Sequence, residues 1–234
     1  MQYVTGKKNL VVSCGIAFLL MLFQVHSVAA AVTITPLKME QGDYLVASIP
    51  QFDNGLEGKI LSEFNNQYRQ VVLSAFNQFE LTAFEMRSSP RIPDHMKNAL
   101  TFHAGFEVFR NDRHFISLAQ KIYQYTGGAH GMNWITASTV NLETGRAYQL
   151  SELFLEGANF IERLSEVVRQ EGAIRKLPLW NFKEIRPDSA FYLTDEGVVL
   201  FFQPYEIAPY SEGIVRFLIP YRDITDILKP DAGK

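Results

Sequence analysis

The chain has 234 residues, 47% of them hydrophobic, a formal net charge of −3 and one cysteine. That length and apolar content fit one compact globular unit or two small, closely packed halves. The mildly acidic balance, with Arg175-Lys176 as the main basic cluster, excludes a general electrostatic attraction to nucleic acid.

At the N-terminus, Lys7 and Lys8 precede an apolar run from 10 to about 25, and small residues follow at Ser27-Val28-Ala29-Ala30-Ala31. Charged start, apolar middle and small-residue end is the order of a secretory signal peptide. Residues 1–31 are read as that signal, cut after Ala29 or Ala31. The run is shorter than the roughly 20 residues that span a bilayer, so the membrane is met only through an uncleaved signal. Cys14 lies inside the run, whereas a lipobox cysteine would close it. The mature chain then loses two positive charges, becomes −5 and has no cysteine for a disulfide. A domain of about 200 residues can bury enough core without one. The expected location is extracytoplasmic, secreted or periplasmic, in a bacterial envelope.

Residues 33–38 and 44–49 alternate as strands around the Gln41-Gly42-Asp43 turn. A long helix follows. Leu56, Ile60, Leu61, Phe64, Tyr68, Val71, Val72, Ala75, Phe76 and Phe79 recur with a 3.6-residue period and mark a core-facing stripe. Ser88-Ser89-Pro90 and Pro93 end it. Strands are predicted at 99–110, 115–125 and 134–142. They are joined by Asn111-Asp112-Arg113 and by 127–132, and a turn at Glu143-Thr144-Gly145 leads into a strand at 146–150. A second helix begins at Asn159, where Glu162 three residues on suggests a capping box, and Gly172 suggests its stop. Strands return at 191–193, 198–202 and 214–219, and 221–228 forms a terminal helix. The order lacks strict βαβ alternation. It predicts an α+β fold: an antiparallel sheet meander packed against one long and one medium helix, in two closely packed halves.

Four segments carry a family signal in their order and spacing. They are Tyr123-Gln124-Tyr125-Thr126-Gly127-Gly128-Ala129-His130-Gly131, then Asn141-Leu142-Glu143-Thr144-Gly145, then Leu150-Ser151-Glu152-Leu153-Phe154, and finally Phe202-Gln203-Pro204-Tyr205-Glu206-Ile207-Ala208-Pro209-Tyr210-Ser211-Glu212-Gly213. Together they resemble the bacterial extracytoplasmic domain shared by the anti-sigma-V factor RsiV and the N-terminal part of the peptidoglycan deacetylase PdaC. The resemblance covers most of the mature chain, with 32–130 as the N-terminal half and 131–234 as the C-terminal half. It implies an exported, non-catalytic binding module of the cell envelope, with lysozyme or peptidoglycan as ligand. Neither the sensor relay nor the deacetylation chemistry is carried over.

The residues themselves support two readings. Gly127 and Gly128 permit positive φ, either for a tight connection between strands or for a loop that presents His130. His130 is of a type that titrates near neutrality. His95, His103 and His114 form no metal-ligand spacing with it, so no metal or cofactor is expected, and a donor role to a backbone carbonyl is the plainer reading. Tyr205, Glu206, Tyr210 and Glu212 lie in a loop stiffened by Pro204 and Pro209. Aromatics beside carboxylates suit stacking on sugars or gripping a basic protein, or a packed connection in which the rings are buried. The candidate ligand-binding residues are therefore Tyr125, Gly127, Gly128, His130, Tyr205, Glu206, Tyr210 and Glu212, with no catalytic assignment. The alternative is an envelope hydrolase acting on cell-wall glycan through His130 with Glu206 or Glu212.

Overall fold

The computed structural model describes residues 31–54, 56–230 and 232. Apart from Ala31, the expected signal peptide lies outside the described residues.

The chain begins as a hairpin of β1 (Ile34–Gln41) and β2 (Leu45–Phe52), paired antiparallel from Ile34↔Phe52 to Gln41↔Leu45. Helix α1 (Gly58–Ser88) follows, a rod of 31 residues. All ten apolar residues of the predicted stripe lie in or against the N-terminal core. Their rings interleave with the sheet: Phe52–Tyr68 at 5.4 Å, Tyr44–Phe79 at 5.3 Å and Phe76–Phe102 at 5.2 Å between centroids. Burial pushes the Tyr68 phenol up to about 12, because a charged phenolate there would lose its hydration. A short α2 (Asp94–Asn98) leads to the long strands β3 (Thr101–Asn111), β4 (Phe115–Tyr125) and β5 (Met132–Asn141), with β6 (Arg146–Ala147) at the edge.

These six strands form one sheet in chain order. The predicted meander, β3 to β6, is antiparallel throughout, and the sheet is mixed only where the N-terminal hairpin joins it. β2 and β3 pair parallel, over Leu45↔Phe102, Val46↔His103 and Ala47↔Ala104. The physical reason is α1: it carries the chain back along the sheet, and a crossover helix returns a strand in the same direction as the one before it.

The C-terminal half builds its own core. A 3-10 turn (Leu150–Leu153), α3 (Phe160–Ile174), β7 (Phe191–Leu193), β8 (Gly197–Phe202), a second 3-10 turn (Tyr210–Glu212), β9 (Val215–Pro220) and α4 (Tyr221–Ile224) surround Leu164, Val168, Leu193, Leu200 and Phe217. β7, β8 and β9 make a second, three-stranded antiparallel sheet. The architecture is α+β, with a six-stranded sheet meander and a second, three-stranded sheet.

Three local expectations are corrected. The strand at 146–150 shrinks to two residues, because Leu150 and Leu153 turn into the core. Asn159 occupies the N-cap of α3, but its side chain makes no capping hydrogen bond. Gly172 does not stop α3. It is buried within the helix, where a Cβ would meet Leu179 Cδ1 at 2.7 Å. The stop is Lys176 at φ 57, with Leu177 N–H donating to Gly172 O (2.8 Å) and Lys176 N–H to Ala173 O (3.1 Å), the paired bonds of a Schellman ending.

The outer face of the large sheet, away from α1, receives the small one. Phe109 stacks on Tyr192 at 3.8 Å, and Ile135, Val199 and Phe201 are buried around them. Polar groups also join here. Ser117 Oγ accepts the Leu193 N–H (2.8 Å) and lies 2.8 Å from Thr139 Oγ1.

Candidate functional site

The small sheet covers only part of that outer face. Beyond it an open groove of about 520 Å³ crosses β2 to β5, lined among others by Val46, His103, Gly105, Lys121, Tyr123 and Asn133 and walled by Gly213, Ile214 and Arg216. Such a volume falls in the range of small-ligand sites. Strand alternation explains the lining. Phe102, Ile116, Leu118 and Ile122 point to α1, so His103, Gly105, Lys121 and Tyr123 point away from it. Register then sets His103 against Tyr123, Gly105 against Lys121, and Tyr123 against Asn133.

The β4–β5 connection stands at one end. Gly127 and Gly128 have φ of 93° and 100°, conformations that need glycine. The Tyr125 hydroxyl closes the turn by donating to Gly128 O (2.9 Å). Gly131 is buried, and a Cβ on it would sit 2.4 Å from the Tyr123 ring. The same Tyr123 ring therefore serves the groove and the connection.

His130, Tyr205 and Tyr210 form one aromatic cluster. The His130 and Tyr210 rings stack at 3.9 Å and 16°, and Tyr205 lies 5.7 Å from Tyr210. Gly131 O accepts from the Tyr210 hydroxyl (2.5 Å) and from His130 Nδ1 (2.9 Å). A carbonyl can only accept, so Nδ1 carries the proton, and in the neutral ring Nε2 accepts from the Tyr205 hydroxyl (3.4 Å). Of the two readings of this loop, the packed connection describes Tyr210, which is half-buried. It does not describe Tyr205, which is 51% exposed and held at φ 69.

The glutamates stand apart. Glu206 accepts the Gln203 N–H (2.8 Å) and lines a different hollow, with Phe182, Lys183 and Arg186. Glu212 is exposed in the 3-10 turn. Among the described residues neither carboxylate is hydrogen-bonded to His130. Gln203 holds the loop in place, its amide donating to Ile135 O (2.8 Å) and accepting from Ile135 N–H (3.2 Å). Among the described residues no cluster of three or more His, Cys, Asp or Glu is placed to hold a metal ion. No described helix is long and apolar enough to cross a membrane.

Sequence reasoning found the aromatic cluster and missed the groove beside it. His103, Lys121 and Asn133 converge only through register. The one local signal was Gly105, a glycine inside a predicted strand.

Comparison with known proteins agrees with this architecture. The family model described as deacetylase PdaC matches residues 40–133, and the one described as a protein of unknown function (DUF3298) matches residues 151–222. No curated protein sequence matches the chain. Among solved structures, a DUF3298-family protein of Bacteroides fragilis superposes with a TM-score of 0.66 at 16% identity, covering 87% of this chain and 96% of its own. A DUF3298-family protein of Pseudomonas aeruginosa does so with 0.56 at 17% identity, covering 87% and 97%. At such identities the likeness is one of fold. Along that fold the chain carries in succession a region matching the deacetylase PdaC model and a region matching the DUF3298 model, which supports a DUF3298/PdaC-like domain family.

Proposed function

We propose that the protein is an exported, non-catalytic binding module of the bacterial cell envelope, and that its ligand is peptidoglycan. The observation that carries this reading is the open groove joined through Tyr123 to the His130–Tyr205–Tyr210 cluster. Aromatic faces beside amide, ammonium and imidazole groups suit a chain of sugar rings, which present apolar faces and polar edges. A general base needs a free nitrogen or oxygen aimed at its substrate. His130 spends both nitrogens on Gly131 O and Tyr205, which favours binding over hydrolysis with Glu206 or Glu212. Lysozyme, a basic protein, would find Lys121 ion-paired with Glu107 and Arg216 on the wall, so the groove offers it no excess of negative charge. The N-terminal segment read as a signal peptide supports a location outside the cytoplasm.

Sedimentation with purified peptidoglycan sacculi tests the proposal, with immobilised lysozyme as a parallel arm. The protein should be retained by sacculi, and Tyr205→Ala should bind about three- to tenfold more weakly, the loss of one aromatic contact. Retention on lysozyme alone, or on neither, would overturn it.

A further inference from the structure

The groove is floored by a residue that the fold itself does not require. Gly105 lies inside β3, paired with Lys121 of β4, and a Cβ built on it meets nothing within 4 Å. Its φ lies outside the left-handed region, so the backbone accepts any side chain there. A mid-strand glycine weakens a strand, and such a position often marks close approach of a ligand. Here the bare position leaves a flat patch of sheet open to the groove.

The surroundings define what fits. To one side His103 and Tyr123 present rings 6.0 Å apart. To the other, Lys121 is ion-paired with Glu107, a donor beside an acceptor. Asn133, opposite Tyr123, adds an amide. β3, β4 and β5 are hydrogen-bonded to one another through this level. The backbone groups between these strands are therefore taken, and a peptide lying across this face would find no main-chain partners there. The occupant must be recognised by side chains, lie flat, and carry polar groups around an apolar face.

We infer that Gly105 is the floor of a subsite for one pyranose ring of an acetamido-sugar strand, with Tyr123 and His103 against the ring and Lys121, Glu107 and Asn133 on its polar edge. The inference rests on the proposed glycan reading and assigns it a place on the sheet. The groove crosses four strands, roughly 14 Å at the usual inter-strand spacing, so neighbouring rings extend toward the Tyr205–Tyr210 end.

The test uses Gly105→Leu and Gly105→Ala in the full chain, with a tetramer of N-acetylglucosamine and solubilised peptidoglycan as calorimetric probes. The leucine fills the subsite while its Cβ meets open space, so the thermal midpoint should stay at or above that of the unsubstituted protein. Binding of both probes should fall at least tenfold for Gly105→Leu and by less than about threefold for Gly105→Ala. If Gly105→Leu lowers the midpoint, Asn133→Ala replaces it, and binding should fall about fivefold. Unchanged binding in the variant that keeps its fold overturns the subsite and leaves the proposed function standing. No binding of either probe or of sacculi by the unsubstituted protein overturns both.

Discussion

Ser117→Ala is expected to loosen the junction between the two sheets. Ser117 is fully buried on β4, opposite Thr139 of β5, itself 1% exposed. β7 is an edge strand of the small sheet, and its Leu193 N–H finds its acceptor in Ser117 Oγ at 2.8 Å. The alanine leaves that N–H buried and unpaired, which costs about 1–3 kcal/mol. It also takes the partner from Thr139. A loss of about 2 kcal/mol follows, or about 4–8 °C in the midpoint of a domain this size. Thr139→Val should cost less, about 1 kcal/mol, because Ser117 can still accept from Leu193. The two changes share a partner, so their combination should cost less than their sum. Urea unfolding followed by tryptophan fluorescence measures all three. A Ser117→Ala loss under about 0.5 kcal/mol, or strict additivity, would refute the claim that this hydroxyl joins the sheets.

Two other changes probe single features. Lys176→Gly replaces a non-glycine residue at φ 57 in the ending of α3; it should raise stability by about 0.5–1 kcal/mol, read as a higher denaturant midpoint. The Asp112 carboxyl, although raised by partial burial, is held below its usual value on balance by the N–H groups of Phe115 and His114 and by Arg110. A carboxyl with a depressed folded-state pKa binds protons more readily in the unfolded chain. Its contribution is complete above the unfolded value near 3.9 and lost as pH falls through the folded one. Stability should therefore drop below about pH 4, and Asp112→Asn should flatten that drop. Parallel acid profiles for the two proteins would contradict the assignment.

The parts legible in the sequence are those governed by neighbours along the chain. The α1 stripe from Leu56 to Phe79 encodes its own buried face, and Ser89-Pro90 marks its end. Gly127 and Gly128 encode positive φ. The failures have long-range causes. Gly172 reads as a helix stop because the packing of Leu179 against it, seven residues on, is not a local property. The parallel β2–β3 pair depends on how α1 lies across the sheet. In the candidate site, His130, Tyr205 and Tyr210 sit in recognisable segments, whereas His103, Lys121 and Asn133 look like ordinary strand residues until register aligns them. Glu206 and Glu212 looked like partners for His130 because they share a loop with Tyr205 and Tyr210. The loop sends Glu206 back to its own backbone.

β5 has a consequence for any attempt to divide the chain. It runs from Met132 to Asn141, and the two family matches end at 133 and begin again at 151. It is nonetheless paired with β4 from Gln124↔Met132 to Phe115↔Asn141. A fragment ended at 130 would leave the full length of β4 as a bare, apolar edge, with Phe115, Ile116, Leu118 and Ile122 beside it. Such an edge recruits strands from other copies. The separated N-terminal piece is then disposed to swap strands or aggregate, and the sequence boundary between the halves is no place to cut.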